Sequence, residues 1–334
     1  MKAIIPVAGI GSRLRPHTHT QPKVLLPVAG KPMLAHILDE LTNLGFEEVT
    51  FIIGYKGEMI RDFVTANYQF KANFVNQPEM KGLGHAIWLA KSHHDTDEPV
   101  LIVLGDTIFK ANLKKVFEME ESALGVHEVE DGRRFGIVEL DSKLQVKRLI
   151  EKPENPPTNL AIVGIYYMTH PRELFAALEE IVNDNVTTAG EIQLTDALQK
   201  MLDQGVPMRT FKIDGWYDCG KAETMLATNR DLLDKKMLGV QDYSAVAERY
   251  PDCVIKMPVA IAESAVLENC IVGPHVSVSA GSVLKDCIVR NSIIGENAEA
   301  SSIILNDSII SDKAKVAGSL FRLNVGDSSE IIME

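Results

Sequence analysis

Arg13 and Lys23 stand in an opening stretch that carries no acid. The first carboxylate is Asp39, and before it come Lys2, Arg13, Arg15, Lys23 and Lys31, in a protein whose formal net charge is −12. An acidic chain that keeps every acid out of one Gly-rich stretch builds a local anion site there. Gly9 and Gly11 let the backbone turn sharply and bring its N–H groups close to a ligand. Cations and bare N–H groups in one loop are the chemistry that holds phosphates.

A strand and a helix must hold such a loop. Residues 3–8 form an apolar run that reads as a buried parallel strand leading into the glycines. Residues 33–44 follow as a helix, with Leu34, Ile37, Leu38, Leu41 and Leu44 recurring on one face. Spacing excludes two familiar phosphate loops. No Gly-x4-Gly-Lys-Ser/Thr string occurs in the stretch. A dinucleotide fingerprint needs a third glycine, but Gly11 is followed by Ser12, Arg13 and Leu14.

A longer signature fits. Gly9, Gly11, Ser12, Arg13, Leu14, Pro16 and Thr18, then Pro22, Lys23, Leu25, Pro27, Val28, Lys31 and Pro32, resemble the motif of the sugar-phosphate nucleotidyltransferases. Ala8 stands where many members carry a further glycine. The resemblance implies a doubly wound, Rossmann-like mixed α/β sheet as the catalytic domain, residues 1–240. A small parallel, left-handed β-helix over 251–334 would follow, as in the long-form members. It implies attack by an oxygen of a sugar 1-phosphate on the α-phosphorus of a nucleoside triphosphate, with loss of pyrophosphate. Thymidylyl transfer from dTTP to glucose 1-phosphate is favoured, with UTP as the other candidate. The second pKa of a phosphate monoester is about 6, so the nucleophile is already ionised and no general base is required. The reaction needs relief of repulsion between two polyanions, and alignment.

The same resemblance assigns roles. Arg13 would neutralise the β- and γ-phosphates and Lys23 the α-phosphate, with Ala8, Gly9, Gly11 and Ser12 lining the nucleotide. Lys152, in Glu151-Lys152-Pro153, would hold the sugar phosphate. Asp106 and Asp218, the latter in Trp216-x-Asp-x-Gly, would carry Mg²⁺, an ion that demands oxygen ligands. Gln77 and Gly82 would meet the base, since an amide offers donor and acceptor together to the imide edge of uracil or thymine. Sugar hydroxyls would meet Gly136, Glu151, Gly164, Tyr166 and Glu191. Thr107, Cys219 and Lys221 depart from commoner Asn and Thr residues without removing a cation or a carboxylate. Plainer readings stand beside these: Asp106 as a turn residue, Asp218 as a helix N-cap, Lys152 as a solvated lysine, Glu191 as the opening of a helix. His17 and His19 have no task in this chemistry and read as loop residues.

Further strands are expected over 48–54, 73–77 and 99–106. They alternate with helices over 56–68, with Met59, Ile60, Phe63 and Val64 on one side, and over 82–93. That alternation argues a parallel, doubly wound sheet whose ligands sit at the carboxyl ends of its strands. From residue 123 the texture becomes strand-rich, at 124–129, 135–140, 147–150, 162–168 and 208–213. Amphipathic helices are expected over 173–182 and 191–204, and a last one runs to about 234. Beyond Tyr250, aliphatic residues return every five or six positions between Ser, Asn, Asp and Gly, the texture of a parallel β-helix. Cys270 and Cys287 lie seventeen residues apart, close to one coil, and read as inward-packed thiols at equivalent positions.

Net acidity argues against a nucleic-acid partner. No stretch approaches a membrane span, and the opening apolar run is too short and too interrupted for a signal peptide. Four cysteines without C-x-x-C spacing suit a reducing cytoplasm. Solenoid ends tend to stack, which points to a homo-oligomer formed through the β-helix. Two other readings use the same residues. A nucleotide-sugar-binding regulatory subunit of this fold would be expected to lose a cation or a metal carboxylate. A bifunctional enzyme would carry an acyltransferase in the solenoid, with His275 as its base.

Overall fold

The computed structural model describes residues 1–94, 96–237 and 244–318. They form two compact units, one of residues 1–26 and 31–225, the other of 27–30 and the described residues from 226 onward. The boundary expected near residue 240, and residues 319–334 of the expected solenoid, lie outside the described residues.

The first unit opens with β1 (Lys2–Pro6), α1 (Met33–Asn43), β2 (Glu48–Ile53), α2 (Gly57–Asn67), β3 (Lys71–Asn76), α3 (Leu83–Trp88), α4 (Lys91–His94) and β4 (Val100–Val103). β1 pairs in parallel with β2 on one side and β4 on the other, and β3 extends the sheet beyond β2. Alternate side chains of β1 enter opposite cores. Ile4 packs in a cluster with Ile52, Ile102, Leu174 and Leu198, whereas Ala3 and Ile5 join Leu34, Leu38 and Ile60. A strand buried on both faces has to be apolar throughout, which is why its sequence shows no alternation.

Two helical expectations need correction. In α2, Ile60 and Val64 are buried, but Met59 is 40% exposed. Neighbouring residues of a helix are about 100° apart, so Met59 falls off the stripe that Ile60 defines. The helix expected over 82–93 is broken, because Ala90 donates to Ile87 O at 3.0 Å, a tight turn that drives Ala90 into the core between α3 and α4.

The rest of the unit comprises β5 (Thr107–Lys110), β6 (Ser122–Glu128), β7 (Gly136–Leu140), β8 (Val146–Glu151), β9 (Leu160–Met168), α5 (Pro171–Asn183), α6 (Leu194–Asp203), β10 (Met208–Lys212) and β11 (Gly215–Asp218). β9 lies antiparallel to β4, β6 and β7, so the parallel half is completed into a mixed sheet. β5 and β11 form a separate antiparallel ribbon in which Asp218 stands opposite Thr107. Last comes α7 (Ala222–Met237), whose residues from Leu226 belong to the second unit. No helix among the described residues is long and apolar enough to cross a membrane.

The second unit is a parallel β-helix made of three four-stranded parallel sheets, the arrangement of a left-handed solenoid. Val254, Ile271 and Ile288 pair in succession at steps of seventeen, and Ile288 pairs with Ile304 at a step of sixteen. Cys270 and Cys287 are both buried, each directly before its strand. Asn269, Asp286 and Ser302 share one left-handed corner, and His275, Asn291 and Asp307 share another. Within this unit the fully buried Asn229 receives the Ala29 N–H at 2.9 Å and the Ser277 hydroxyl at 2.6 Å, and donates to His275 O at 3.1 Å.

Candidate functional site

The turn that follows β1 is built by Gly11. Its φ of 69° is left-handed, and a Cβ there would sit 2.9 Å from Lys23 Cβ and 3.0 Å from Thr18 Cγ2. The Gly11 carbonyl accepts from Leu14 N at 2.9 Å and from Thr18 Oγ1 at 3.0 Å, which folds the loop back on itself. Lys23 is thereby carried beneath the glycines, only 8% exposed, and its Nζ reaches Asp106 Oδ2 at 2.5 Å beyond the end of β4.

Two adjoining cavities open at the carboxyl ends of the parallel strands, where a doubly wound sheet binds its ligands. The smaller, about 330 Å³, is lined by Ala8, Gly9, Gly11, Ser12, Arg13, Lys23, Gln77, Gly82, Asp106 and Glu191 among others. The larger, about 530 Å³, takes Arg13, Asp106, Gly136, Glu151, Lys152, Gly164, Tyr166, Glu191 and Asp218 into its wall. Arg13, Leu83, Leu104, Asp106 and Glu191 belong to both. Every residue singled out from the sequence as a ligand contact therefore lines one or the other. His17 and His19 line neither, and burial holds the His17 imidazole below its ordinary range.

Gly82 makes the smaller cavity's far wall possible. At φ 111°, a Cβ there would meet Ile192 O at 2.5 Å. The strand-like segment at Ile192 docks through Ile192 N to Lys81 O at 2.8 Å and Gly84 N to Ile192 O at 2.9 Å. That docking sets Glu191 in the wall of both cavities, outside α6, which begins only at Leu194.

Charge in the larger cavity is partly spoken for. Lys152 Nζ lies 3.3 Å from Glu151 Oε1, and Arg133 grips Asp131 through Nε and Nη2, each at 2.8 Å. Glu151 also accepts from Thr195 Oγ1 at 2.7 Å. Arg13 and Arg134 have no carboxylate within ion-pair distance among the described residues, though the field of Asp131 reaches Arg134. Burial, then the Glu151 charge, pushes the Tyr166 hydroxyl well above its ordinary range, so it stays a donor. Asp106, directly before β5, and Asp218, which ends β11 opposite Thr107, both line this cavity.

Sequence reasoning missed Arg133, Arg134, Gln193, Thr195 and Trp216, all of which line the larger cavity. The Arg-Arg pair before Phe135-Gly136 was a usable signal, as cations beside a singled-out glycine. Gln193 and Thr195 had none, because a long-range docking puts them there. In the solenoid, His275 Nε2 lies 2.9 Å from Asp234 Oδ1, and its backbone turns a left-handed corner.

A family model described as Nucleotidyl transferase matches residues 2–235. The low-salt glycan biosynthesis nucleotidyltransferase Agl11 of Haloferax volcanii is 35% identical over 274 residues, covering 79% of this chain and 74% of that protein. The UTP–glucose-1-phosphate uridylyltransferase of Bacillus subtilis is 36% identical over 238 residues, covering 60% of this chain and 80% of that protein. Among solved structures, UDP-glucose pyrophosphorylase complexed with UDP-glucose superposes with a TM-score of 0.62 at 26% identity, covering 70% of this chain and 98% of that one.

Proposed function

Because the chain belongs to the nucleotidyl transferase family, we propose that it joins a nucleoside triphosphate to a sugar 1-phosphate and releases pyrophosphate. The observation that carries this reading is the pair of cavities sharing Arg13 and Asp106, with a glycine loop in one and hydroxyl-binding groups in the other. A cation at the seam belongs where two anions must meet.

In this reaction an ionised oxygen of the sugar phosphate forms a bond to the α-phosphorus. The bond from that phosphorus to the bridging oxygen breaks in line, and pyrophosphate leaves with the electron pair. No side chain has to remove a proton. Arg13 offsets the β- and γ-phosphate charge, and Lys23 stabilises the charge that builds on the α-phosphate. Lys152 and Arg134 hold the incoming sugar phosphate, while Glu151, Tyr166, Gly136, Gly164 and Glu191 meet the sugar. Asp106, whose Oδ2 meets Lys23, and Asp218 both line the larger cavity and would hold Mg²⁺, an ion that takes carboxylate oxygens and keeps several waters. When bound, that ion would draw charge from the phosphate oxygens.

Gln77 and Gly82 face a pyrimidine carrying an imide, as in dTTP and UTP. The activity named for the Bacillus subtilis relative and the UDP-glucose of the solved neighbour favour UTP, with glucose 1-phosphate as its partner. A cytoplasmic homo-oligomer assembled through the solenoid completes the reading, on the sequence grounds given above. Pyrophosphate release, assayed over five triphosphates and several sugar 1-phosphates with Mg²⁺, tests it. The fastest pair should be UTP or dTTP with glucose 1-phosphate, and silence across the panel contradicts the proposal.

A further inference from the structure

The amide of Gln77 is held in one orientation. Gln77 is 5% exposed and His85 7%. Gln77 Nε2 lies 3.3 Å from the Gly82 carbonyl oxygen and 3.2 Å from His85 Nδ1. A carbonyl oxygen only accepts, so the Gly82 contact decides which end of the amide is nitrogen. The same NH₂ group then faces Nδ1, which must be the bare nitrogen of a neutral ring with its proton on Nε2. Both amide protons are thus engaged. Oε1, which meets no hydrogen-bond donor among the described residues, is what Gln77 offers to the smaller cavity. The donor-and-acceptor pair expected from the residue type alone is reduced to an acceptor.

The surroundings keep that arrangement. Burial, then the positive charge of Lys81, holds the His85 imidazole below its ordinary range against the opposing pull of Glu79. His85 sits within α3, its ring 5.8 Å from that of Trp88, and Gly84 N in the first turn of that helix donates to Ile192 O. Neither ring nor amide is free to turn without breaking a buried contact.

We infer that His85 is a positioning residue for base selection: by accepting from Gln77 Nε2 it leaves Oε1 as a lone acceptor that takes a ring N–H and rejects a ring lone pair. The inference rests on the reading that the smaller cavity binds the nucleotide. Uracil and thymine carry a proton on N3 and satisfy Oε1. Cytosine carries a lone pair at the same place, so it opposes two acceptors and leaves a buried oxygen unpaired.

The test is kcat/KM for UTP and for CTP, each with glucose 1-phosphate, in the wild type and in His85→Leu, His85→Asn and Gln77→Leu. His85→Leu removes one of the two acceptors that hold Nε2 and leaves only the 3.3 Å contact with the Gly82 carbonyl against a turn of the NH₂ toward cytosine, so the UTP-to-CTP ratio should fall by about tenfold or more. His85→Asn, whose Oδ1 can accept from Nε2, should restore it to within about threefold of the wild type. Gln77→Leu should also lower the ratio. If it does not, Gln77 does not read the base and the inference falls with that reading. A ratio lowered by Gln77→Leu but unchanged by His85→Leu overturns the role of His85 alone. Nitrogen-15 spectra of the histidine-labelled wild type check the tautomer independently of whether a variant folds. A bare Nδ1 at His85 is expected, and a proton there overturns the inference.

Discussion

Lys23 Nζ and Asp106 Oδ2 stand 2.5 Å apart, joining the segment folded under the glycine loop to the end of β4 across eighty-three positions of chain. The lysine is only 8% exposed while the Asp106 side chain keeps 38% of its surface in water. In the proposed function a substrate phosphate shares this ammonium, so Lys23→Met should cost at least about 100-fold in kcat. Thermal stability should change by less than about 1 kcal/mol, because water can solvate the remaining carboxylate. Steady-state rates and melting curves of the variant check both parts.

The two aspartates should govern the metal requirement. Asp106→Asn and Asp218→Asn are each expected to raise the half-saturating Mg²⁺ concentration by about tenfold or more, since either change removes an anionic oxygen from the proposed two-carboxylate site. Arg13→Ala should lower the rate without that shift. Titrating Mg²⁺ into chelator-stripped protein reads the difference.

Thr195 donates to Glu151 at 2.7 Å, which fixes a carboxylate that also lies beside Lys152. Thr195→Val should raise KM for the sugar phosphate by about tenfold, the worth of about one charge-assisted hydrogen bond. KM for the triphosphate should hold within about twofold, because Thr195 lines only the larger cavity. Equal loss for both substrates would remove Thr195 from the sugar side.

The parts that sequence made plain are those fixed by neighbours in the chain. The strand, the Gly11 turn and the positions of Arg13 and Lys23 follow from residues within a few turns of one another, and so does the inward stacking of Cys270 and Cys287. What could not be read is long-range. β9 is buried along nearly its whole length, and an apolar run interrupted only by Gly164 carries no mark of strand direction. The interruption after Trp88 has no Gly or Pro to announce it, because core packing of Ala90 makes it. Gln193 and Thr195 reach the site through the Ile192–Gly84 docking, which pairs segments more than a hundred residues apart. The coil step shortens from seventeen to sixteen after Ile288, and that drift blurs the solenoid's register in sequence.

A pH effect on stability follows from His94. Burial, then the charge of Lys2, holds its pKa down at about 4, and its Nε2 lies 2.9 Å from Thr50 Oγ1. Above about pH 6.5 the ring is neutral in both folded and unfolded chains and its contribution is complete. As pH falls from there toward about 4, the unfolded chain takes up a proton that the folded one refuses, and about 3 kcal/mol of stability is lost. Denaturant unfolding between pH 7.5 and 4.5 should show this decline, and His94→Gln should flatten it. An unaltered slope in the variant would assign the decline to other groups.

If the two cavities are halves of one site, a single molecule of UDP-glucose fills both, and equilibrium displacement reads that directly. With wild-type protein and Mg²⁺, UDP-glucose should displace both labelled UTP and labelled glucose 1-phosphate, in each case to completion and at one equivalent per chain. Simultaneous binding of UDP-glucose with either ligand, or displacement of neither, would contradict it.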